Sequence, residues 1–159
     1  MKTMATQVFI SHSMKNIELV NQAKKLLEQK GLNAYVAVSE PQPGEKLHDK
    51  IIQNIKESSF FLLLYTKDAA ASPWVNHEIG IAVSLKKKII PIIEEGVQLP
   101  AILGGIEYVK MDTISPETCI QGVCDYLYTL MASKDETKLI VAIVFIFIGV
   151  LVLAAILAE

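Results

Sequence analysis

Apolar and polar positions follow two different periods along the first 131 residues of the chain. Short, nearly continuous apolar runs predict buried strands at 7–11, 34–38, 60–65, 89–93 and 107–110. Between these runs, apolar residues recur every three or four positions, which predicts helices at 16–30, 46–58, 72–86 and 116–131. Strands that alternate with helices predict an α/β fold, with a five-strand parallel sheet and helices on both faces.

The last apolar run, residues 139–158, is of another kind. It contains twenty residues without a charge or a proline, and a helix of that length spans about 30 Å, the thickness of a bilayer core. Buried core helices are usually shorter and carry a polar stripe, so we expect a transmembrane helix. The chain then divides into a globular domain (1–132), a polar linker (133–138) and a membrane segment (139–158).

The charges beside this apolar run indicate its orientation. Lys134 and Lys138 precede it, and only Glu159 follows it. Because the flank rich in lysine stays inside the cell, we expect a single-pass membrane protein whose globular domain is cytoplasmic.

Charge and composition limit the possible ligands. The formal net charge is −2, which gives no reason to expect nucleic-acid binding. All fifteen basic residues are lysines, so no guanidinium group is present to hold a phosphate on two hydrogen bonds. The two cysteines, Cys119 and Cys124, lie about 140° apart on a helix and cannot form a disulfide there. No metal-ligand spacing occurs, so we expect two buried thiols and no metal site.

In a parallel sheet of this kind, ligands bind beyond the carboxyl ends of the strands. Three predicted loops line that edge, at 11–15, 39–45 and 66–72. His12 follows the first strand directly, where it could equally cap the loop or bind a ligand.

Trp74 and Glu78 are four residues apart near the start of a predicted helix, which Ser72 caps and Pro73 begins. A carboxylate beside an indole can bind ribose hydroxyls and stabilise positive charge that develops on a sugar. A solvated glutamate on an amphipathic helix is the competing interpretation, and the spacing alone favours it.

Four segments, in order, resemble the TIR domain family of prokaryotic type. They are its first conserved box, its long loop after the second strand, the segment with the catalytic glutamate and its fourth strand, at residues 8–13, 39–44, 72–78 and 88–93. The resemblance covers roughly residues 6–131 and implies a flavodoxin-like fold.

The resemblance also implies a function. One branch of the family cleaves the nicotinamide–ribose bond of NAD⁺, often in immune or anti-phage defence signalling, with NAD⁺ as substrate and no cofactor. By position, Glu78 corresponds to the catalytic glutamate. The residues that correspond to substrate-binding positions are Phe9, Ser11, His12, Trp74 and Gly44, the last in the mobile loop that joins neighbouring subunits. Self-association through TIR–TIR contacts is expected as well.

This chain also departs from the family pattern. Ser13 and Met14 stand where many members have arginine, and Ala37 stands where the family has an acidic residue. These differences leave open the substrate affinity and the product, ADP-ribose or a cyclic form. The other branch of the family has no catalytic activity, so the alternative function is a membrane-anchored adaptor that acts through TIR–TIR contacts.

Overall fold

Five parallel strands form one sheet in the computed structural model of the protein, which describes residues 7–37 and 47–133. The strands lie in the order β2-β1-β3-β4-β5, which confirms the predicted five-strand parallel sheet. Their bounds are β1 Gln7–Ser11, β2 Asn33–Val36, β3 Phe60–Tyr65, β4 Lys88–Glu94 and β5 Val109–Met111.

Helices follow β1, β2, β3 and β5, whereas a 3-10 helix lies between β4 and β5. The helices are α1 Ile17–Gln29, α2 Leu47–Glu57, α3 Lys67–Ala70, α4 Pro73–Ser84 and α5, residues 116–124. Short 3-10 helices occur at Met14–Asn16 and Ala101–Leu103. The chain divides into two compact units, Met1–Cys124 and Asp125–Glu159. In the second unit, residues 125–133 are helical.

One face of the sheet packs against α2 and α4. Phe9, Phe61 and Leu63 point to this face and share a buried cluster with helix residues such as Ile55 and Ile79. Because side chains alternate along a strand, Ile10 and Leu62 point to the opposite face. The buried stripe of α1 consists of Val20, Ala23 and Leu27, as its three-to-four periodicity predicts.

The ends of two helices show what stops them. Gly31, with φ +78°, follows the last turn of α1, in the left-handed conformation that glycine adopts at little cost. Helix α4 ends at Ser84, about two residues before the predicted end at Lys86. Lys86 has φ +52°, and the amide of Lys87 bonds back to the carbonyl of Ala82 at 2.9 Å, so the chain leaves the helical path there.

Several predictions concern residues outside the described part of the chain. Gly44, most of the linker (134–138) and the predicted membrane segment (139–158) belong to this group. Within residues 7–37 and 47–133, no helix is long and apolar enough to cross a membrane.

Candidate functional site

Glu78 occupies a core-facing position on helix α4. The Ser72 hydroxyl accepts a hydrogen bond from the amide of Val75, and Pro73 takes the first helical position, so the helix begins where its sequence predicts. The buried residues of the helix are Val75, Glu78, Ile79 and Ala82. Glu78 is 5% exposed, and the interpretation of it as a solvated surface glutamate is therefore wrong.

Ser11 holds this carboxyl group. It is the last residue of β1, fully buried, and its Oγ donates a hydrogen bond to Oε2 of Glu78 at 2.5 Å. Strand β1 lies between β2 and β3. The chain adds β2 on one side of β1, and then adds β3, β4 and β5 on the other side. The reversal of strand order beside β1 is where open α/β sheets bind ligands. The Ser11–Glu78 pair therefore lies at the expected place for a binding crevice.

Burial and hydrogen bonding act on Glu78 in opposite directions. Burial raises the pKa of this carboxyl group from 4.5 to about 7, and the hydrogen bond from Ser11 works against that rise. Such an increase corresponds to about 3 kcal/mol. Since the folded protein holds the proton more tightly, the free energy of unfolding falls as the pH rises from 4.5 to about 7.

His12 lies next to Ser11 and is also buried, at 5% exposure. Its Nδ1 is 3.2 Å from the carbonyl oxygen of Ile10. Burial lowers the pKa of His12, although the backbone hydrogen bond to Ile10 partly offsets this effect, so the neutral ring is favoured. The other ring nitrogen, Nε2, is buried without a hydrogen-bond partner among the described residues.

The aromatic residues predicted for the site have different surroundings. Phe9 is fully buried, and its ring stacks between Tyr35 and Phe61, with centroids 5.5 and 5.4 Å away. It therefore supports the end of β1 from within the core. Trp74, by contrast, is 42% exposed.

Trp74 belongs to an aromatic strip on the surface. Its ring lies 6.4 Å from that of His77, which stacks on His48 at 4.9 Å. Pro73, Trp74 and His77 line a shallow cavity of about 200 Å³. Of the predicted site residues, the structure thus brings Ser11 and Glu78 into contact. Trp74 instead lies beside His77, which stacks on His48.

Two further contacts join the loops at this edge, and the sequence analysis did not single them out. Nζ of Lys15 pairs with Oδ1 of Asp68 at 2.8 Å. The Thr66 hydroxyl donates to Oδ1 of Asn16, also at 2.8 Å. These contacts connect the loop after β1 to the loop after β3. The only signal for them is that both loops follow neighbouring strands and are polar.

Within the described ranges, no group of three or more histidine, cysteine or acidic residues is placed to hold a metal ion. Cys124 is buried, as expected, but Cys119 is only half-buried. Its Sγ lies 3.8 Å from the carbonyl oxygen of Lys110, at the margin of the sheet, which explains its partial exposure.

Known proteins share the sequence pattern and the fold of this chain. The TIR domain family matches residues 8–122. A curated relative, the probable 2′ cyclic ADP-D-ribose synthase TcpO of Methanobrevibacter olleyae, is 29% identical over 92 residues. That match covers 55% of this chain and 27% of the relative, so the chain spans about a quarter of the relative's length.

Solved structures share the fold at low identity. The TIR domain of the Toll-related receptor TRR-2 from Hydra magnipapillata has a TM-score of 0.59 and 19% identity, covering 80% of this chain and 95% of that one. The CMP N-glycosidase BcmB of Clostridium botulinum has a TM-score of 0.57 and 19% identity, covering 74% of this chain and 98% of that one. Because the family match extends over most of the sequence and the sheet agrees with it, this chain belongs to the TIR domain family.

Proposed function

We propose that this TIR domain cleaves the nicotinamide–ribose bond of NAD⁺, releasing nicotinamide and leaving ADP-ribose or a cyclic form of it. The observation that carries the proposal is the buried carboxyl group of Glu78, held by Ser11 at the reversal of strand order. The name of the curated relative, a probable cyclic ADP-ribose synthase, supports the same reaction class. NAD⁺ is the substrate, and the reaction requires no cofactor.

The chemistry suits a site with one essential carboxylate. When the C1′–N bond breaks, its electron pair goes to the nicotinamide ring, which leaves as a neutral molecule and needs no proton from a general acid. Positive charge develops on the ribose. A carboxylate in a buried site stabilises that charge more strongly than one in water, and Glu78 is assigned this role.

The raised pKa of Glu78 is compatible with this role. The nicotinamide ring of the substrate is positively charged, and a nearby positive charge favours the ionised form of a carboxyl group. Substrate binding therefore lowers the pKa of Glu78 from about 7. Glu78 is then ionised when the substrate is bound, which is when the reaction needs its negative charge.

Other groups complete substrate binding in this proposal. His12 and Trp74 contact the nucleotide, as does Gly44. Because the chain contains no arginine, the pyrophosphate is bound by lysine or by backbone N–H groups. After nicotinamide leaves, water yields ADP-ribose, whereas attack by another part of the nucleotide yields a cyclic product.

Assembly and membrane attachment extend the proposal. Copies of the domain associate through TIR–TIR contacts, and residues 139–158 anchor them in the membrane with the domain on the cytoplasmic side. Confinement to a membrane raises the effective concentration of the domains, which favours assembly. Such a device fits a role in immune or anti-phage defence signalling.

Nicotinamide release from NAD⁺ tests the proposal directly. The full chain in liposomes is compared with Glu78→Gln, which preserves the shape of the side chain, and with Glu95→Gln, a matched change at an exposed position. We expect Glu78→Gln to lose about 100-fold or more of the rate, the order observed when one electrostatic group is removed from an active site. Glu95→Gln should retain the parent rate.

Two results would contradict the proposal. Equal release by the parent and by Glu78→Gln would show that the carboxyl group is not the catalytic one. The absence of release from the parent, in monomeric and assembled samples alike, would favour the membrane-anchored adaptor instead.

A further inference from the structure

Most buried polar atoms of a protein have a hydrogen-bond partner, and Nε2 of His12 is an exception. It is fully covered and has no hydrogen-bond partner within the described residues. Leaving such an atom unpaired costs free energy, because its hydrogen bond to water is lost on folding and nothing replaces it. Native proteins retain few atoms of this kind, and each one calls for an explanation such as a role in function.

The contact at Nδ1 determines what the unpaired atom can do. A carbonyl oxygen only accepts hydrogen bonds, so Nδ1, 3.2 Å from the carbonyl of Ile10, carries the proton. In a neutral imidazole the other nitrogen then has a lone pair. Burial lowers the pKa of His12, which keeps the ring neutral. The atom is therefore a hydrogen-bond acceptor, and the group that would satisfy it is a donor.

The position of His12 indicates where that donor comes from. His12 follows Ser11 directly at the carboxyl end of β1, the edge at which open α/β sheets bind ligands. Ser11 holds the carboxyl group of Glu78, which in the proposed reaction lies at the ribose. Within reach of that pair, a sugar offers hydroxyl groups, whereas a phosphate offers acceptors only and cannot satisfy a lone pair.

We propose that Nε2 of His12 accepts a hydrogen bond from a ribose hydroxyl of the bound nucleotide. This inference rests on the proposed function for the identity of the ligand, but not on cleavage. Nε2 is covered in the structure, so the groups that cover it must move for a hydroxyl to reach it. Within residues 7–37 and 47–133 Nε2 has no hydrogen-bond partner, so among those residues the movement breaks no hydrogen bond at this atom.

Two substitutions test the roles of the two ring nitrogens one at a time. In His12→Asn, the amide nitrogen replaces Nδ1 and can still donate to the carbonyl of Ile10, but no acceptor remains at the position of Nε2. In His12→Gln, the longer side chain restores an acceptor there. Binding of ADP-ribose to the full chain is measured by calorimetry, since this ligand has both riboses and is not cleaved.

We expect His12→Asn to bind ADP-ribose at least tenfold more weakly than the parent, and His12→Gln to stay within about threefold of it. Thermal unfolding serves as the control, because a purely structural role would change the melting temperature without separating the two variants in affinity. If His12→Asn does not fold, His12→Phe replaces it, as it keeps the ring and lacks both nitrogens.

A comparison of AMP with 2′,3′-dideoxy-AMP identifies which of the two riboses of ADP-ribose His12 contacts. If His12 contacts the adenosine ribose, His12→Asn also weakens binding of AMP but not of 2′,3′-dideoxy-AMP. If it contacts the other ribose, AMP binding is unchanged, and both results support the proposal. Equal ADP-ribose affinity of parent and His12→Asn would overturn it, as would a parent that does not bind ADP-ribose. A parent that binds ADP-ribose but releases no nicotinamide would refute the proposed cleavage while leaving this inference intact.

Discussion

The hydroxyl of Ser11 makes the carboxyl group of Glu78 easier to ionise, since its hydrogen bond opposes the rise in pKa that burial causes. If ionised Glu78 is required for NAD⁺ cleavage, activity increases with pH through the pKa of this group. Ser11→Ala removes the hydrogen bond and leaves the burial, so the pKa should rise further. We expect the acid limb of the pH–rate profile to move to higher pH, with a larger loss of activity at pH 6 than at pH 9.

Ser84→Ala provides the control for this prediction. Ser84 lies at the exposed end of the same helix, and its hydroxyl donates to the carbonyl of Ile81, away from Glu78 in sequence. Its profile should coincide with that of the parent. An acid limb that stays in place or moves to lower pH in Ser11→Ala would show that the hydrogen bond does not tune Glu78.

Individual residues of the candidate site were predictable to different degrees. The sequence singled out Glu78 through its spacing from Trp74 and through the family resemblance. Its inward direction follows from a different signal, the buried stripe that it forms with Val75, Ile79 and Ala82. Its contact with Ser11 joins residues 67 positions apart, and the unpaired nitrogen of His12 depends on three-dimensional packing. No local pattern contains either feature.

Among the elements, the end of α2 shows a contact that the sequence analysis did not single out. Nζ of Lys87 donates to the carbonyl oxygens of Lys56 and Ser58, each at 2.6 Å. These carbonyls lie at the end of α2, where helices leave such groups unpaired. Lys87 thus caps a neighbouring helix.

Lys87→Met tests this cap, since it keeps the apolar stem and removes the charged donor. We expect a loss of about 1 kcal/mol in the free energy of unfolding, at the lower end for hydrogen bonds from charged groups because water still competes at this half-buried site. Urea unfolding followed by circular dichroism measures it. The adjacent, exposed Lys88→Met should change stability by less than about 0.5 kcal/mol. Equal effects of the two substitutions would argue against the cap.

The predicted elements agree with the structure where a run is long enough to show its period. Strand β3 has its predicted bounds because six consecutive apolar residues are buried. Helix α3 was missed because four residues are too few to show a period. It forms where the Thr66 hydroxyl accepts a hydrogen bond from the amide of Ala69, in a segment that otherwise resembles a loop.

At the scale of the whole molecule, alternation of strands and helices was sufficient to predict the parallel sheet. The order of the strands required the family resemblance or the structure, because each crossover can return on either side of the preceding strand. That order matters for function, since it places the end of β1 at the reversal and so brings Ser11 to the candidate crevice.

The proposed membrane segment lies outside the described residues and is tested by flotation of the full chain with liposomes. A lysine near the middle of a transmembrane helix costs about 2.5–3.5 kcal/mol, so Ile148→Lys combined with Leu151→Lys should abolish or strongly reduce flotation. The control, Ile102→Lys with Ile114→Lys, adds the same charge at side chains that are 56% and 88% exposed, and should float like the parent. If NAD⁺ cleavage depends on assembly at the membrane, the 148/151 variant should also lose activity at low protein concentration and regain it as the concentration rises. Flotation of that variant at the parent level would refute the anchor, because two charges at mid-depth are incompatible with a spanning helix of twenty residues.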